Sequence, residues 1–182
     1  MTEAPLIHLM GWPGVGKHAV GRCLAPLIGA RYVDNHTLLN PAFAAVPFQS
    51  EGYYRINRAV VTAVYAELAR DAAPLVLTNC QTETAWGREC WGRVRGLAEA
   101  RGGPFVQVVL DCALEENVRR VVLPDRSGGK LRDPDVLREA RATKALIVDA
   151  TLPAHRFDTT DTSPADTARA IAAHLNLDLP SK

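Results

Sequence analysis

Leu6-Ile7-His8-Leu9-Met10-Gly11-Trp12-Pro13-Gly14-Val15-Gly16-Lys17-His18 joins a mostly apolar run to a loop with three glycines and a lysine. The run 6–10 reads as a buried strand. The spacing Gly-x-x-x-x-Gly-Lys then puts glycines where a loop adopts backbone angles closed to other residues, so successive N–H groups converge at the positive end of the next helix. Such a loop wraps phosphates, and Lys17 carries a full charge toward the β- and γ-phosphates of a nucleotide. Gly11, Trp12, Pro13, Gly14, Val15, Gly16, Lys17, His18 and Ala19 are the expected nucleotide-binding segment. One position departs from the pattern: His18 stands where a Ser or Thr would offer its hydroxyl to Mg²⁺, and an imidazole suits that oxygen-seeking cation poorly.

The 182 residues fit a single domain, 1–182, with enough chain to bury a core without disulfides or a structural metal. Lys and Arg number 21 against 20 acidic residues, a formal charge of +1. That balance argues against a protein that coats nucleic acid or an anionic membrane. Cys23, Cys80, Cys90 and Cys112 form no C-x-x-C pair and read as reduced thiols. No apolar run approaches the roughly 20 residues of a membrane span, and no basic segment leads into a long apolar stretch, so a cytoplasmic protein is expected.

Working outward from the loop, short apolar runs at 6–10, 31–33, 75–78, 105–110 and 156–158 alternate with helical segments at 17–28, 53–70, 82–100 and 114–123, and a last helix opens at Ser163-Pro164. The alternation predicts an α/β fold with a parallel sheet flanked by helices. Asn40-Pro41 and Val46-Pro47 make 35–49 read as a broken helical excursion, part of a substrate-covering region at about 35–70. The spacing of Ile56, Val60, Ala63, Val64 and Leu68 makes Arg55 and Arg58 first-turn cations of the following helix. The polar, glycine-containing stretch around 124–135 reads as a lid loop.

Asp34, Asn35 and His36 follow the second strand, at the carboxyl edge where sheets of this kind bind ligands. Asp34 is a candidate to hold a metal-bound water or to take a proton from a hydroxyl, and His36 is a candidate for the second task. The plainer reading is a strand-end cap and a surface histidine. Arg119, Arg120, Arg126, Lys130 and Arg132 form a cationic cluster suited to charge spread over a transferring phosphoryl group. Glu115 and Glu116, one turn earlier, offer some of these arginines an ordinary helical ion pair. The third strand ends Thr78-Asn79-Cys80-Gln81, without the acidic residue that often serves Mg²⁺, and Asp111 is the nearest substitute. Trp86 and Trp91 read as packing residues.

With these residues in place the chain resembles the P-loop small-molecule kinases, the group that includes shikimate kinase, gluconate kinase, adenylate kinase and antibiotic O-phosphotransferases such as chloramphenicol phosphotransferase. The resemblance rests on Gly11 to Lys17, Val20-Gly21-Arg22-Cys23-Leu24-Ala25, Val33-Asp34-Asn35-His36, Arg55 after Glu51-Gly52-Tyr53-Tyr54, and Leu110-Asp111 followed by Arg120 and Arg126. It implies a P-loop NTPase fold with a five-stranded parallel sheet and a lid, and transfer of the γ-phosphate of ATP (GTP being the alternative), with Mg²⁺, to a hydroxyl of a metabolite, nucleoside or antibiotic. In that reading Lys17, the loop amides and Arg120 hold phosphates, and Asp34 or His36 takes the proton. Arg55, Arg58 and Arg132 bind the acceptor, Arg120 and Arg126 act on the transferring group, and Asp34 (through water) and Asp111 serve the metal. His36 replaces the second carboxylate of the shikimate kinase pattern and Thr78-Asn79-Cys80 replaces its glycines, so shikimate is not the expected acceptor. Two alternatives remain: a nucleotide-binding regulatory protein with weak or no catalysis, and a polynucleotide end kinase, which the balanced charge disfavours. A monomer or homodimer is expected.

Overall fold

Five short strands, β1 (Leu6–Met10), β2 (Arg31–Asp34), β3 (Leu75–Asn79), β4 (Phe105–Asp111) and β5 (Ala154–Asp158), form one parallel sheet in the order β2-β3-β1-β4-β5. The computed structural model describes residues 4–124 and 129–177. All five expected strands are present. β1 and β3 are buried along their whole length, which is why their sequences run apolar instead of alternating.

Helices cover both faces. Ile7, Leu9, Val76, Val108 and Leu110 pack under α1 (Lys17–Leu27) and α7 (Pro164–His174), while Leu6, Leu75 and Leu77 pack under α3 (Glu51–Leu68) and α4 (Ala85–Arg101). The two sets alternate along the strands, and the register aligns them: Leu6 lies beside Leu75, and Ile7 beside Val76. Because β1 is flanked by β3 on one side and β4 on the other, the chain leaves it in opposite directions, and a crevice opens at the carboxyl ends of the strands.

The helix starts are chemically marked. Ser50, Thr84 and Ser163 accept backbone N–H bonds from Tyr53, Gly87 and Asp166 at 3.2, 3.0 and 3.1 Å. Two elements differ from expectation. The excursion after β2 is one helix, α2 (Asn35–Ala45), which runs through Pro41 and stops at Val46, whose extended backbone precedes Pro47. Pro41 and Thr37, one turn earlier, are both exposed, so solvent compensates the hydrogen bond that proline cannot make. Two further helices follow β4, α5 (Leu114–Val121) and an unanticipated α6 (Pro134–Thr143) that begins inside the stretch expected to be lid. Its cap is Asp133, whose carboxylate accepts from the Asp135 and Val136 amides at 2.8 and 3.1 Å, with Pro134 at the first helical position. Residues 125–128 of the expected lid, Arg126 among them, lie outside the described residues. No helix among the described residues is long and apolar enough to cross a membrane.

Candidate active site

The loop between β1 and α1 is built around positive-φ glycines. At Gly14, φ is 92° and an added Cβ would stand 2.5 Å from the Asn117 amide nitrogen, so both the backbone angle and the close approach require glycine. Asn117, fully buried in α5, donates from Nδ2 to the Pro13 carbonyl at 2.7 Å, and its Oδ1 accepts from Arg141 at 2.7 Å. Thr159, just past β5, donates its hydroxyl to the Val15 carbonyl at 2.8 Å. The loop carbonyls are thereby tied outward, the arrangement an anion site needs. Lys17 Nζ lies back over the loop, donating to the Gly11 and Trp12 carbonyls at 2.7 and 2.8 Å.

A cavity of about 670 Å³ opens in front of the loop. Pro13 to Ala19, Asp34, His36, Arg119 and Arg120 line it, so the structure brings these expected residues together. Gly11 and Trp12 lie beneath the loop, with Trp12 only 7% exposed. Arg55, Arg58, Arg132 and Asp111 are not in the lining. Arg58 instead makes a two-pronged pair with Glu89 at 2.7 and 2.8 Å and sits over the Trp86 ring. Asp111 binds Arg141 at 2.9 Å and the Cys112 amide at 2.9 Å.

Arg120 is held on every side: Glu116 at 2.6 Å and the Thr159 and Thr160 carbonyls at 2.7 and 2.9 Å. Bonded by Arg119 and Arg120 together, the Glu116 carboxyl falls to about 2. The helical ion pairs weighed against a catalytic role are therefore formed, and Arg120 braces Thr159, which in turn holds the loop.

Opposite the loop, Asp34 ends β2. Its Oδ1 accepts from the Thr78 hydroxyl at 3.1 Å and stands 3.5 Å from His18 Nδ1, which also meets the Tyr32 hydroxyl at 3.2 Å. Burial, with Asp34 beside it, raises the Tyr32 phenol well above its usual range. Gly21 admits this ring: a Cβ there would lie 2.5 Å from it. His36 stacks near Phe43 with ring centres 6.5 Å apart.

The donor set does not fit a protein-held Mg²⁺. Asn79, where an acid was sought, spends its amide on a buried chain, accepting at Oδ1 from His8 Nε2 (2.8 Å) and donating from Nδ2 to Asn35 Oδ1 (2.9 Å). Asp111 is tied to Arg141, and Asp34 is the carboxylate left beside the loop. Among the described residues no cluster of three or more His, Cys, Asp or Glu could hold a metal ion.

Sequence reasoning missed Asn117 and Thr159, which hold the loop, and Tyr53 and Trp86, which line the cavity's far wall. Trp86, read as packing, faces the cavity, while Trp91 does pack internally against His8 and Phe105. The only signal for Trp86 was that residues five apart on a helix lie on different faces.

No protein-family model matches the chain, and no curated protein does. Solved structures do match over nearly its whole length. A putative kinase from Chloroflexus aurantiacus aligns at TM-score 0.69 and 15% identity, covering 95% of this chain and 99% of that one. An APS kinase of Mycobacterium tuberculosis, in complex with AMPPNP and APS, aligns at 0.61 and 20%, covering 97% and 99%. A shikimate kinase of Acinetobacter baumannii in complex with shikimate aligns at 0.55 and 24%, covering 97% and 96%. The fold is that of the P-loop kinases. The chain shares that fold at low identity, with His18 and Asn79 at the positions where metal-serving residues were expected.

Proposed function

We propose that the protein is a small-molecule kinase that moves the γ-phosphoryl group of ATP to a hydroxyl of a small acceptor. The carrying observation is that one cavity joins the glycine loop and Lys17 to the carboxylate of Asp34. Lys17, released from the Gly11 and Trp12 carbonyls, follows the phosphates. The acceptor oxygen attacks the γ-phosphorus and its proton passes to Asp34. The bond from γ-phosphorus to the bridging oxygen breaks, and ADP leaves with the electron pair. Thr78 aims the Asp34 carboxylate, and His36 is the second candidate base. Arg119 lines the same cavity but is paired with Glu116 through Nε and NH2. Arg120 acts as a positioning residue through Thr159.

A panel of hydroxylated metabolites, nucleosides and antibiotics tests this reading by acceptor-dependent ADP release. Release with at least one class is expected; none, from protein that binds AMPPNP, contradicts it. One observation favours a second reading, a nucleotide-binding regulatory protein: His18 and the committed Asn79 leave the metal poorly served. Nucleotide affinity indifferent to Mg²⁺, without phosphorylated product, is its signature.

A further inference from the structure

Beside the main cavity, and sharing Asn35, Tyr53, Asn79 and Trp86 with it, lies a recess of about 120 Å³ between α2, α3 and α4. Its size suits one small ring, since a water's share of liquid volume is about 30 Å³. Four neutral amides, Asn35, Asn57, Asn79 and Gln81, line it, and Arg93 is its one charged group among the described residues. Asn57 and Gln81 are 2% and 4% exposed. Asn57 Nδ2 and both Nε2 and Oε1 of Gln81 are buried without a hydrogen-bond partner among the described residues. Buried polar atoms are rarely left unpaired, so a wall with three of them is built for a polar occupant. Tyr53, Tyr65 and Trp86 supply aromatic rings around the same recess.

The charge pattern narrows the occupant. Among the described residues Arg93 is the recess's cation, and its terminal nitrogens are spent: NH2 on Glu89 at 3.1 Å, and NH1 on the Thr62 hydroxyl at 3.2 Å and the Arg58 carbonyl at 3.5 Å. Only its buried Nε lacks a partner. A carboxylate seeks two adjacent guanidinium N–H groups, and here both terminal nitrogens already have protein partners, leaving Nε. What the wall offers instead is a carboxamide able to donate and accept side by side, with further N–H donors.

Resting on the kinase reading, we propose that this recess is the acceptor's recognition subsite and that it takes an uncharged acceptor through a cyclic amide or imide edge. A ring carrying C=O next to N–H pairs with the Gln81 carboxamide by two parallel hydrogen bonds. A second carbonyl takes the Asn57 donor, and the aromatic side chains flank the ring. The attached hydroxyl then reaches toward Asp34 in the main cavity.

The probes are uracil as the imide ring, 1,3-dimethyluracil with its N–H groups blocked, and gluconate as an acid, each titrated by NMR into AMPPNP-saturated protein. Uracil is expected to bind at least tenfold more tightly than the other two, and Gln81→Leu to abolish the preference while AMPPNP affinity stays unchanged. Asn57→Leu serves as the second variant, with the same expected loss, should Gln81→Leu fail to fold. Gluconate binding as tightly as uracil, no uracil binding to AMPPNP-loaded protein, or a uracil preference untouched by either variant overturns the proposal. Failure of wild-type protein to bind AMPPNP overturns the kinase reading itself, a distinct result.

Discussion

The two walls of the cavity are made on different principles. On the phosphate wall, recognition is backbone: loop amides positioned by glycines, with Asn117 and Thr159 fastening the loop from behind and the flanking arginines committed to Glu116. On the proposed acceptor wall, recognition would be by side chain: amides of Asn35, Asn57, Asn79 and Gln81 among Tyr53, Tyr65 and Trp86, drawn from α2, α3, β3, the loop after it and α4. A backbone site is fixed by a short contiguous motif and tolerates little change. A side-chain site is assembled from distant segments and is where one fold acquires different acceptors.

If that contrast is right, substitutions on the two walls separate in their readouts. The largest effect belongs to Lys17→Ala, expected to lower turnover by roughly 10²–10³ while leaving the fold intact; turnover within threefold of wild type breaks the assignment of the phosphate wall. Trp86→Ala on the other wall is expected to raise the KM of whichever acceptor the panel identifies by about tenfold, with the KM for ATP unchanged. An equal rise in both would mean that the walls are not separate. Asn117→Ala, which strands the Pro13 carbonyl and the buried end of Arg141, is expected to cost about 1–3 kcal/mol, read as a drop in Tm. Its nucleotide affinity should weaken as well; a drop in Tm with undiminished AMPPNP binding would limit Asn117 to packing.

A further effect, read as stability, sharpens the acceptor wall. His8, fully buried between Trp91 and Phe105, has its pKa lowered by burial to about 4 despite the bond to Asn79. The unfolded chain takes up this proton near pH 6.5 and the folded chain near 4, so stability is complete above about pH 6.5 and declines as pH falls toward 4. His8→Gln is expected to flatten that decline in urea titrations across the interval. An unchanged slope would place the acid sensitivity elsewhere.

The same contrast explains what could be read in the sequence. Gly11 to Lys17 are contiguous, and mostly apolar strands such as Val106 to Leu110, broken only by Gln107, announce a doubly covered sheet, so the fold and the glycine loop were legible. Asp34 was legible too, as a carboxylate ending a strand at the sheet's carboxyl edge. α6 was not, because it buries Leu137 alone, too little for a helical period to stand out. Arg55 and Arg58 drew attention as cations, but charge on a helix says nothing of which way the helix faces, and Glu89 had an equal claim on Arg58. Asn57 and Gln81 lay in the sequence as ordinary amides. Their meaning depends on burial without a partner, a property of the folded chain only.

The central claim, that nucleotide and acceptor are recognised by separate walls, is tested most directly by titrating AMPPNP into wild-type protein, Lys17→Ala and Gln81→Leu by calorimetry. Wild type and Gln81→Leu are predicted to bind with the same affinity, and Lys17→Ala at least tenfold more weakly. Equal weakening in both variants, or none in Lys17→Ala, would contradict it.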